Sequence, residues 1–240
     1  MLRPVLRVLV TALAVAAALA AGGEAEAPPG ALPGFWPDPG ETTSTLRPDG
    51  AWETGSGGVR VVLVPLDDDA RWEWLSANAG AGADPFSPRP GSESQYLSFV
   101  LAIANDSRGI VMFNPSRIWL QSDDVDIDIQ RPLDLATIQA AWRHLDAEMP
   151  PAYEKAASGL LEGETLLHGG DVRQGLLVFR RPRGDPRSFT LSVPMTTGAG
   201  EPVELRAAYL EAERAERKRA KQEADSRSRK NKQKKEEAPP

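Results

Sequence analysis

The 240-residue sequence predicts an all-β protein: an antiparallel β-sandwich with one inserted amphipathic helix and a charged C-terminal helix and tail. The first observation is a series of short stretches in which apolar and polar residues alternate. The second is that turn signals separate these stretches at intervals of about 8 to 12 residues, as in sandwiches. The third is a single stretch with helical spacing, at 134–149. We assign residues 56–210 to the sandwich domain.

The N-terminus has the features of a secretory signal peptide. Arg3 and Arg7 precede an apolar run from Val8 to Ala21, and the run ends on small residues that suit cleavage near Ala20. Its 14 residues are fewer than the roughly 20 that a membrane-spanning helix needs. Residues 1–20 are therefore predicted to be a signal peptide, with an uncleaved membrane anchor as the alternative. The expected location is extracytoplasmic, either periplasmic or secreted.

Residues 21–55 are predicted to form a linker rich in proline and glycine. These two residue types occupy 12 of the 29 positions from 22 to 50. Such a density of turn-forming residues is typical of connections rather than of core elements. Trp36 and Trp52 are expected to dock locally.

The first predicted strands follow this linker. The β-branched run "VRVVLVP" starts at Val59, and "RWEWL" at 71–75 alternates with the period of a strand. A loop rich in Ala, Gly, Ser and Pro is expected over 76–95. The stretch 95–105, "QYLSFVLAIAN", is apolar on one face and only weakly polar on the other, which is typical of a strand deep in a sandwich. Shorter strands are predicted at "IVMF", "RIWLQ" and "DVDIDI", the last with Val125, Ile127 and Ile129 pointing inward.

The helical insertion at 134–149 interrupts this series of strands. Its apolar residues recur at intervals of three and four positions and form one stripe: Leu135, Ile138, Trp142, Leu145 and Met149. Asp134 is a suitable N-cap, and Pro150-Pro151 should end the helix. We expect this helix to lie across an edge or an end of the sandwich.

The segment from His168 to Val193, "HGGDVRQGLLVFRRPRGDPRSFTLSV", allows two interpretations. Gly169-Gly170-Asp171 could be part of a phosphate-binding loop, but such a loop leads into a helix N-terminus, where free N–H groups meet the anion. Here the glycines lead into an apolar strand, which favours a corner before that strand. The segment is predicted to be a β-hairpin with a long charged connection. Residues 202–210 are predicted to form a further strand.

Residues 211–240 are predicted to form a charged helix and a disordered basic tail. Residues 21–205 hold 14 basic and 27 acidic residues, a net charge of −13, whereas 206–240 hold 12 and 7, a net charge of +5. The tail could increase solubility and fold back weakly on the acidic body, or it could contact an anionic surface polymer or phospholipid. Nucleic acid is not expected, because no aromatic residues alternate with the lysines. The predicted contacts to an anionic partner are Arg217, Lys218, Arg219, Lys221, Lys230, Lys232, Lys234 and Lys235.

Candidate catalytic and metal-binding residues are few. The chain has no cysteine, which excludes a thiol nucleophile and cysteine-ligated metals. His144 and His168 lie in no recognisable catalytic motif. Asp124, Asp126 and Asp128 either imitate the start of a calcium loop or form a solvated acidic stripe on a strand. Asp67–Asp69 are expected in a turn, and Asn105-Asp106-Ser107 matches a glycosylation sequon. No cofactor is predicted.

Two segments of the sequence resemble a known group of domains. The unit "FVLAIANDSRGIVMFNPSRIWL" is followed later by L-x-x-G-x-x-x-x-G-L-L-V-F and a terminal F-T-L-S-V strand. This arrangement, from Val59 to Tyr209, is similar to the immunoglobulin-like extracytoplasmic domains of unknown function in bacterial envelope proteins and lipoproteins. The resemblance implies an immunoglobulin-like sandwich and no particular chemistry. The helical insertion and the missing lipid-attachment cysteine depart from that group.

These observations favour an exported, non-enzymatic module that binds another envelope protein or an anionic surface polymer. The reason is that the sequence patterns predict a fold clearly, whereas the polar residues form no recognisable catalytic or ligand-binding motif. Membrane contact is expected only through an uncleaved signal segment or the charge of the tail. The alternatives are a hydrolase or metal-dependent enzyme with a site near His168 and the acidic strand, and a structural accessory subunit of an envelope assembly.

Overall fold

The computed structural model describes residues 27–42, 44–88, 90, 92–122, 129–144, 148–182 and 186–221. In these residues the protein is mostly β, with two antiparallel sheets and four helices. The sheets pack face to face, because one apolar cluster contains residues from both of them. The predicted mainly β architecture is confirmed.

The first sheet has seven strands and the second has five. The first contains β1 (Phe35–Pro37), β6 (Val111–Phe113), β7 (Trp119–Ser122), β8 (Ile129–Gln130), β9 (Thr165–Leu167), β11 (Ser188–Thr197) and β12 (Pro202–Glu211). The second contains β2 (Thr45–Leu46), β3 (Trp52–Ser56), β4 (Val59–Leu66), β5 (Tyr96–Asn105) and β10 (Val172–Arg180), in the order β10-β5-β4-β3-β2. In the first sheet the order β1-β12-β11 continues into the two short pairs β6-β9 and β7-β8.

An aromatic cluster lies at the centre of the core between the sheets. The rings of Phe189 and Tyr209 stack with centroids 4.9 Å apart, and Phe99 meets Tyr209 edge to face at 6.1 Å. The indole Nε1 of Trp52 donates to the hydroxyl of Tyr209 at 3.1 Å, so this buried pair satisfies its own polar atoms. Burial raises the pKa of the Tyr209 phenol far above its ordinary value.

The outer face of the second sheet is covered by α1 (Asp68–Ala79), α2 (Leu135–His144) and α3 (Pro151–Ser158). These helices bury a second apolar cluster, which includes Leu75, Ile138, Leu176 and Val178. Both faces of the second sheet are therefore covered. This explains why its strand β5 is buried along nearly its whole length.

The prediction of a strand at 71–75 is wrong, because these residues lie inside α1. The carboxylate of Asp67 accepts from the N–H of Ala70 at 2.8 Å, and Gly80 ends the helix in the left-handed conformation at φ 61°. Both caps define a helix, and they outweigh the short alternation of "RWEWL". The predicted loop 76–95 correspondingly loses its first residues to α1.

The predicted helical insertion is present but shorter than expected. The carboxylate of Asp134 accepts from the N–H of Thr137 at 2.7 Å, which confirms the predicted N-cap. Hydrogen bonds from the side chain of Thr137 and then from its backbone N–H lower the pKa of Asp134. Described helical residues end at His144, and Pro151 begins α3 rather than ending a helix. Proline suits that position, because the first helical N–H needs no partner. The insertion packs on a sheet face, not on an edge or end of the sandwich.

The linker predicted at 21–55 is also wrong for its described part, which contains β1, β2 and β3. Trp52 is 0% exposed and Phe35 is buried in the same core. Glycine and proline provide the turns between these short strands: Gly50, for example, lies at φ 83° against Gly30, where a Cβ would come within 2.1 Å of the Gly30 nitrogen. The composition reflects tight turns within the domain.

The glycine pair at 169–170 forms a corner before a strand, as predicted. A Cβ on Gly169 would lie 2.4 Å from the carbonyl oxygen of Ser107, and Gly170 has φ 92° before β10 begins. The predicted hairpin of β10 and β11 is wrong, however, because the two strands belong to different sheets. The long connection passes from one sheet to the other. Ile129, predicted to point inward, is 47% exposed.

Candidate functional site

A cleft of about 1290 Å³ opens at the end of the sandwich where β10 finishes. Three arginines line it: Arg131 from the segment between β8 and α2, Arg180 from the last position of β10, and Arg181 directly after it. The two sheets and the helical layer meet here, so residues distant in sequence share one wall. We refer to this cavity as the basic cleft.

Arg181 is held in place from three directions. Its backbone N–H donates to the carbonyl of Gln95 at 2.7 Å, which continues the β10-β5 ladder by one residue. Its guanidinium lies 5.4 Å from the centre of the Phe35 ring, and its Nη1 lies 3.3 Å from the carboxylate of Glu93. Because the Glu93 side chain is 88% exposed, this ion pair is screened by solvent. The ring contact and the backbone bond fix the residue.

Arg131 and Arg180 keep more of their hydrogen-bonding capacity. Nη1 of Arg131 donates to the carbonyl of Ile118 at 3.0 Å, which uses one of five donors. Arg180 is exposed, and its side chain forms no hydrogen bond or ion pair with any residue in the described ranges. Two guanidinium groups at one opening can bind a carboxylate or phosphate through paired N–H donors.

The basic cleft also contains carboxylates. Glu93 and Glu211 lie on its wall, so among the described lining residues three positive charges face two negative ones. This mixed lining distinguishes the cleft from a uniformly positive groove. Tyr96 and Leu133, both half-buried, add apolar surface between the charged groups.

A second cleft of about 600 Å³ lies between the outer face of the first sheet and the C-terminal helix at 212–221, which we call α4. Arg187, Arg214 and Lys218 line it together with Asp38. Arg187 is the last residue of the β10-β11 connection, and the first residues of that connection line the basic cleft. The two clefts therefore flank one connection.

The C-terminal helix is docked on the domain rather than fully solvated, which corrects the sequence expectation for its described part. Nζ of Lys218 lies 2.7 Å from the carboxylate of Asp38, whose side chain is 8% exposed. The guanidinium of Arg219 lies 5.0 Å from the centre of the Trp36 ring. Ala215 is buried against Trp36. Ala215 therefore lies against the domain, and Lys218 and Arg219 contact Asp38 and Trp36 beside it.

The predicted contacts to an anionic partner are divided by this arrangement. Arg217 lies 3.4 Å from Glu213 within the helix and is exposed, as is Lys221. Lys218 and Arg219 contact the domain itself. Lys230, Lys232, Lys234 and Lys235 lie outside the described residues. The arginines of the basic cleft were not among the predicted residues, although "FRRP" marks the end of a strand with two adjacent cations.

The predicted metal-binding residues receive no support from the described part of the chain. Asp124, Asp126 and Asp128 lie outside it. Within the described ranges, no group of three or more acidic or histidine side chains is arranged to hold a metal ion. Asp67 caps α1, and Asp68 lies 2.7 Å from the buried Arg71, so these aspartates begin a helix instead of a turn.

Neither histidine is part of a described catalytic arrangement. His144 is exposed at the end of α2, on the helical layer. His168 is exposed at the corner before β10, where its backbone N–H donates to the carboxylate of Asp171 at 2.8 Å. The hydroxyl of Ser107, close to this corner, donates to the side chain of Asn105 at 2.6 Å. No described bond joins an imidazole to a serine hydroxyl.

The glycosylation sequon is part of the core. Asn105 is fully buried, and its amide nitrogen donates to the carbonyls of Gly109 at 2.9 Å and Leu167 at 2.8 Å. Both amide hydrogens are thus used to join the β5-β6 turn to β9. A glycan cannot be attached to this nitrogen in the folded domain.

None of the helices in the described ranges combines the length and the hydropathy that a membrane span requires. No family model matches the chain, and no curated protein is similar enough in sequence to match it.

Three solved structures are similar to parts of this chain. The yjhA protein from Bacillus subtilis is 11% identical, with a TM-score of 0.32 over 59% of this chain and 76% of that one. A FixG-related protein from Vibrio parahaemolyticus is 9% identical, with a TM-score of 0.32 over 65% and 99%. The ApaA protein from Bordetella pertussis is 12% identical, with a TM-score of 0.30 over 63% and 89%.

Proposed function

We propose that this chain is an exported, non-enzymatic domain with an immunoglobulin-like sandwich, and that its basic cleft binds an anionic component of the cell envelope. The observation that carries the proposal is the convergence of Arg131, Arg180 and Arg181 on one opening of a body whose net charge is −13 over residues 21–205. The guanidinium groups at this opening repel each other, and Glu93 and Glu211 offset that repulsion only in part. Binding of an anion offsets the remainder.

The supporting features agree with a binding role. The N-terminal 20 residues have the pattern of a signal peptide, which directs the chain out of the cytoplasm. Clefts between packed layers are common positions for ligand sites. Arg187, Arg214 and Lys218, around the neighbouring cleft, extend the positive surface toward the C-terminus.

Binding to a solubilised envelope extract tests the proposal. The immobilised full chain is compared with Arg131→Gln/Arg180→Gln and with Arg108→Gln, whose exposed arginine lies near the opposite end of β5. Each lost charge-assisted hydrogen bond weakens binding by about 1.5–3 kcal/mol, so the double variant should retain roughly a tenth or less of the bound material. Binding should also fall between about 0.05 and 0.3 M salt.

The control variant should bind as the wild-type chain does. Equal retention by all three proteins, or retention that salt does not change, would show that the cleft arginines do not mediate binding.

A further inference from the structure

The backbone of Arg180 faces away from the sheet at the basic cleft. In the β10-β5 ladder the bonded pairs are at odd positions of β10, since Arg181 donates to Gln95 and the carbonyl of Asp171 accepts from Asn105. Antiparallel pairs alternate, so Arg180, opposite Tyr96, is in a non-hydrogen-bonded pair and directs its N–H and carbonyl toward the open edge.

Earlier in β10, this open edge is occupied: Leu161 and Leu133 donate to the carbonyls of Leu176 and Val178 at 2.8 Å each. Val178 is the last edge-facing residue before Arg180. In the described ranges no hydrogen bond reaches the backbone N–H or carbonyl of Arg180. One peptide group of an incoming chain can therefore be bound beside the Arg180 guanidinium, as in ligands that pair with a sheet edge.

The charges of the basic cleft discriminate between classes of anion. A uniform polyanion would place negative groups next to Glu93 and Glu211 as well as next to the arginines. Like charges at such distances oppose binding. A ligand with separated negative groups avoids these carboxylates and still pairs with the guanidinium groups.

The size and walls of the cleft suit a chain rather than a small molecule. Its volume of about 1290 Å³ exceeds the range of roughly 300–1,000 Å³ that is usual for small-molecule sites. Tyr96 and Leu133, both half-buried, provide apolar surface between the charged positions. Polypeptide segments present this combination of apolar side chains, isolated charges and peptide groups.

Resting on the function proposed above, we infer that the ligand of the basic cleft is a polypeptide segment that carries acidic side chains separated by uncharged residues. The guanidinium groups of Arg131 and Arg180 bind the carboxylates, and the N–H and carbonyl of Arg180 bind a peptide group.

Selection from a phage-displayed library tests the inference. The full chain is used to select from random peptides of about 12 residues, with Arg131→Gln/Arg180→Gln as the counter-selection target. We expect enrichment of sequences with separated Asp or Glu residues. A labelled peptide from this set should bind about tenfold or more tightly to the wild-type chain than to the double variant or to Arg180→Gln alone, as measured by fluorescence anisotropy.

Three controls accompany this measurement. Arg180→Gln removes a side chain with no described partner, so a preserved thermal transition will show that weaker binding is not caused by unfolding. Arg108→Gln should bind the peptide as the wild-type chain does. The peptide with Gln in place of its acidic residues should bind about tenfold or more weakly.

Inorganic polyphosphate serves as the uniform polyanion. Failure to enrich peptides, together with arginine-dependent binding of polyphosphate, would overturn this inference and leave the proposed function in place. If neither peptides nor polyphosphate bind through the cleft arginines, both this inference and the proposed function are overturned. Peptides that bind the double variant and the wild-type chain with equal affinity would also overturn the inference.

Discussion

Replacing Trp52 by alanine tests whether residues 45–56 are an integral part of the folded domain. Trp52 is 0% exposed and its indole donates to the Tyr209 hydroxyl at 3.1 Å. Truncating a buried tryptophan costs about 3–5 kcal/mol through lost burial and the cavity left behind. The Tyr209 hydroxyl, left buried without its donor, adds about 1–3 kcal/mol. We expect a total loss of about 4–8 kcal/mol in the free energy of unfolding.

Urea unfolding followed by far-ultraviolet circular dichroism measures this loss. Domains of this size are stable by about 5–15 kcal/mol, so Trp52→Ala removes much of the margin. Tyr209→Phe, which deletes only the hydroxyl, should cost about 1–3 kcal/mol and keep the variant folded. Trp72→Ala, at a side chain 37% exposed on α1, is the matched control and should cost about 1 kcal/mol or less. A loss for Trp52→Ala no larger than that of the control would refute the reasoning.

Three further predictions concern single contacts. Asp134→Ala should cost about 1 kcal/mol in urea unfolding, whereas Asp134→Asn should keep the cap. Because the folded pKa of Asp134 is lowered, its stabilisation is present above the ordinary value of 3.8 and is lost as pH falls through the lowered pKa; equal acid sensitivity in the alanine variant would contradict this. Asn105→Ala should cost about 2–4 kcal/mol, and mass spectrometry of chain produced in a glycosylating host should find Asn105 unmodified in folded protein. Ending the chain after Glu211 should red-shift the fluorescence of Trp36 and lower stability by about 1–3 kcal/mol, whereas a fully solvated helix would produce neither change.

The strands that the sequence predicts are those with long apolar or alternating runs. β5 and β12 follow the predicted patterns, because each buries alternate side chains in the core. Short strands between glycine turns do not carry such a pattern. β1 and β2, for example, have only three and two residues. Pairing rather than intrinsic propensity forms them: β1 pairs with the distant β12, and β2 pairs with the next strand, β3.

Helix α1 shows where a local pattern misleads. A five-residue alternation fits a strand, but the twelve residues Asp68–Ala79, with the Asp67 cap before them and Gly80 after them, fit a helix. Its buried Arg71 lies 2.8 Å from the carboxylate of Asp84, a contact between α1 and the loop that follows it. The charged residue inside the helix therefore has a structural partner that periodicity does not show.

The basic cleft could not be predicted from the sequence, because it is produced by sheet register and by packing of layers. Arg180 and Arg181 are recognisable only as the end of a strand, and Arg131 lies about fifty positions earlier. The β10-β5 register places Arg180 opposite Tyr96, and the bond from Leu133 to Val178 brings the Arg131 segment beside it. No spacing rule connects residues that meet through two separate pairings.

The docked C-terminal helix changes how the uneven charge of the chain should be understood. By composition alone, the chain divides into residues 21–205, with a net charge of −13, and residues 206–240, with a net charge of +5. Composition indicates no contact between these two parts. In the structure, Lys218 pairs with Asp38 of the body, while Arg214 and Arg187 line the same cleft. The described cations of the helix therefore add positive charge near the end of the sandwich where the basic cleft lies. Since fields from neighbouring charges add, removal of the helix should weaken binding at the cleft even where the helix does not contact the ligand.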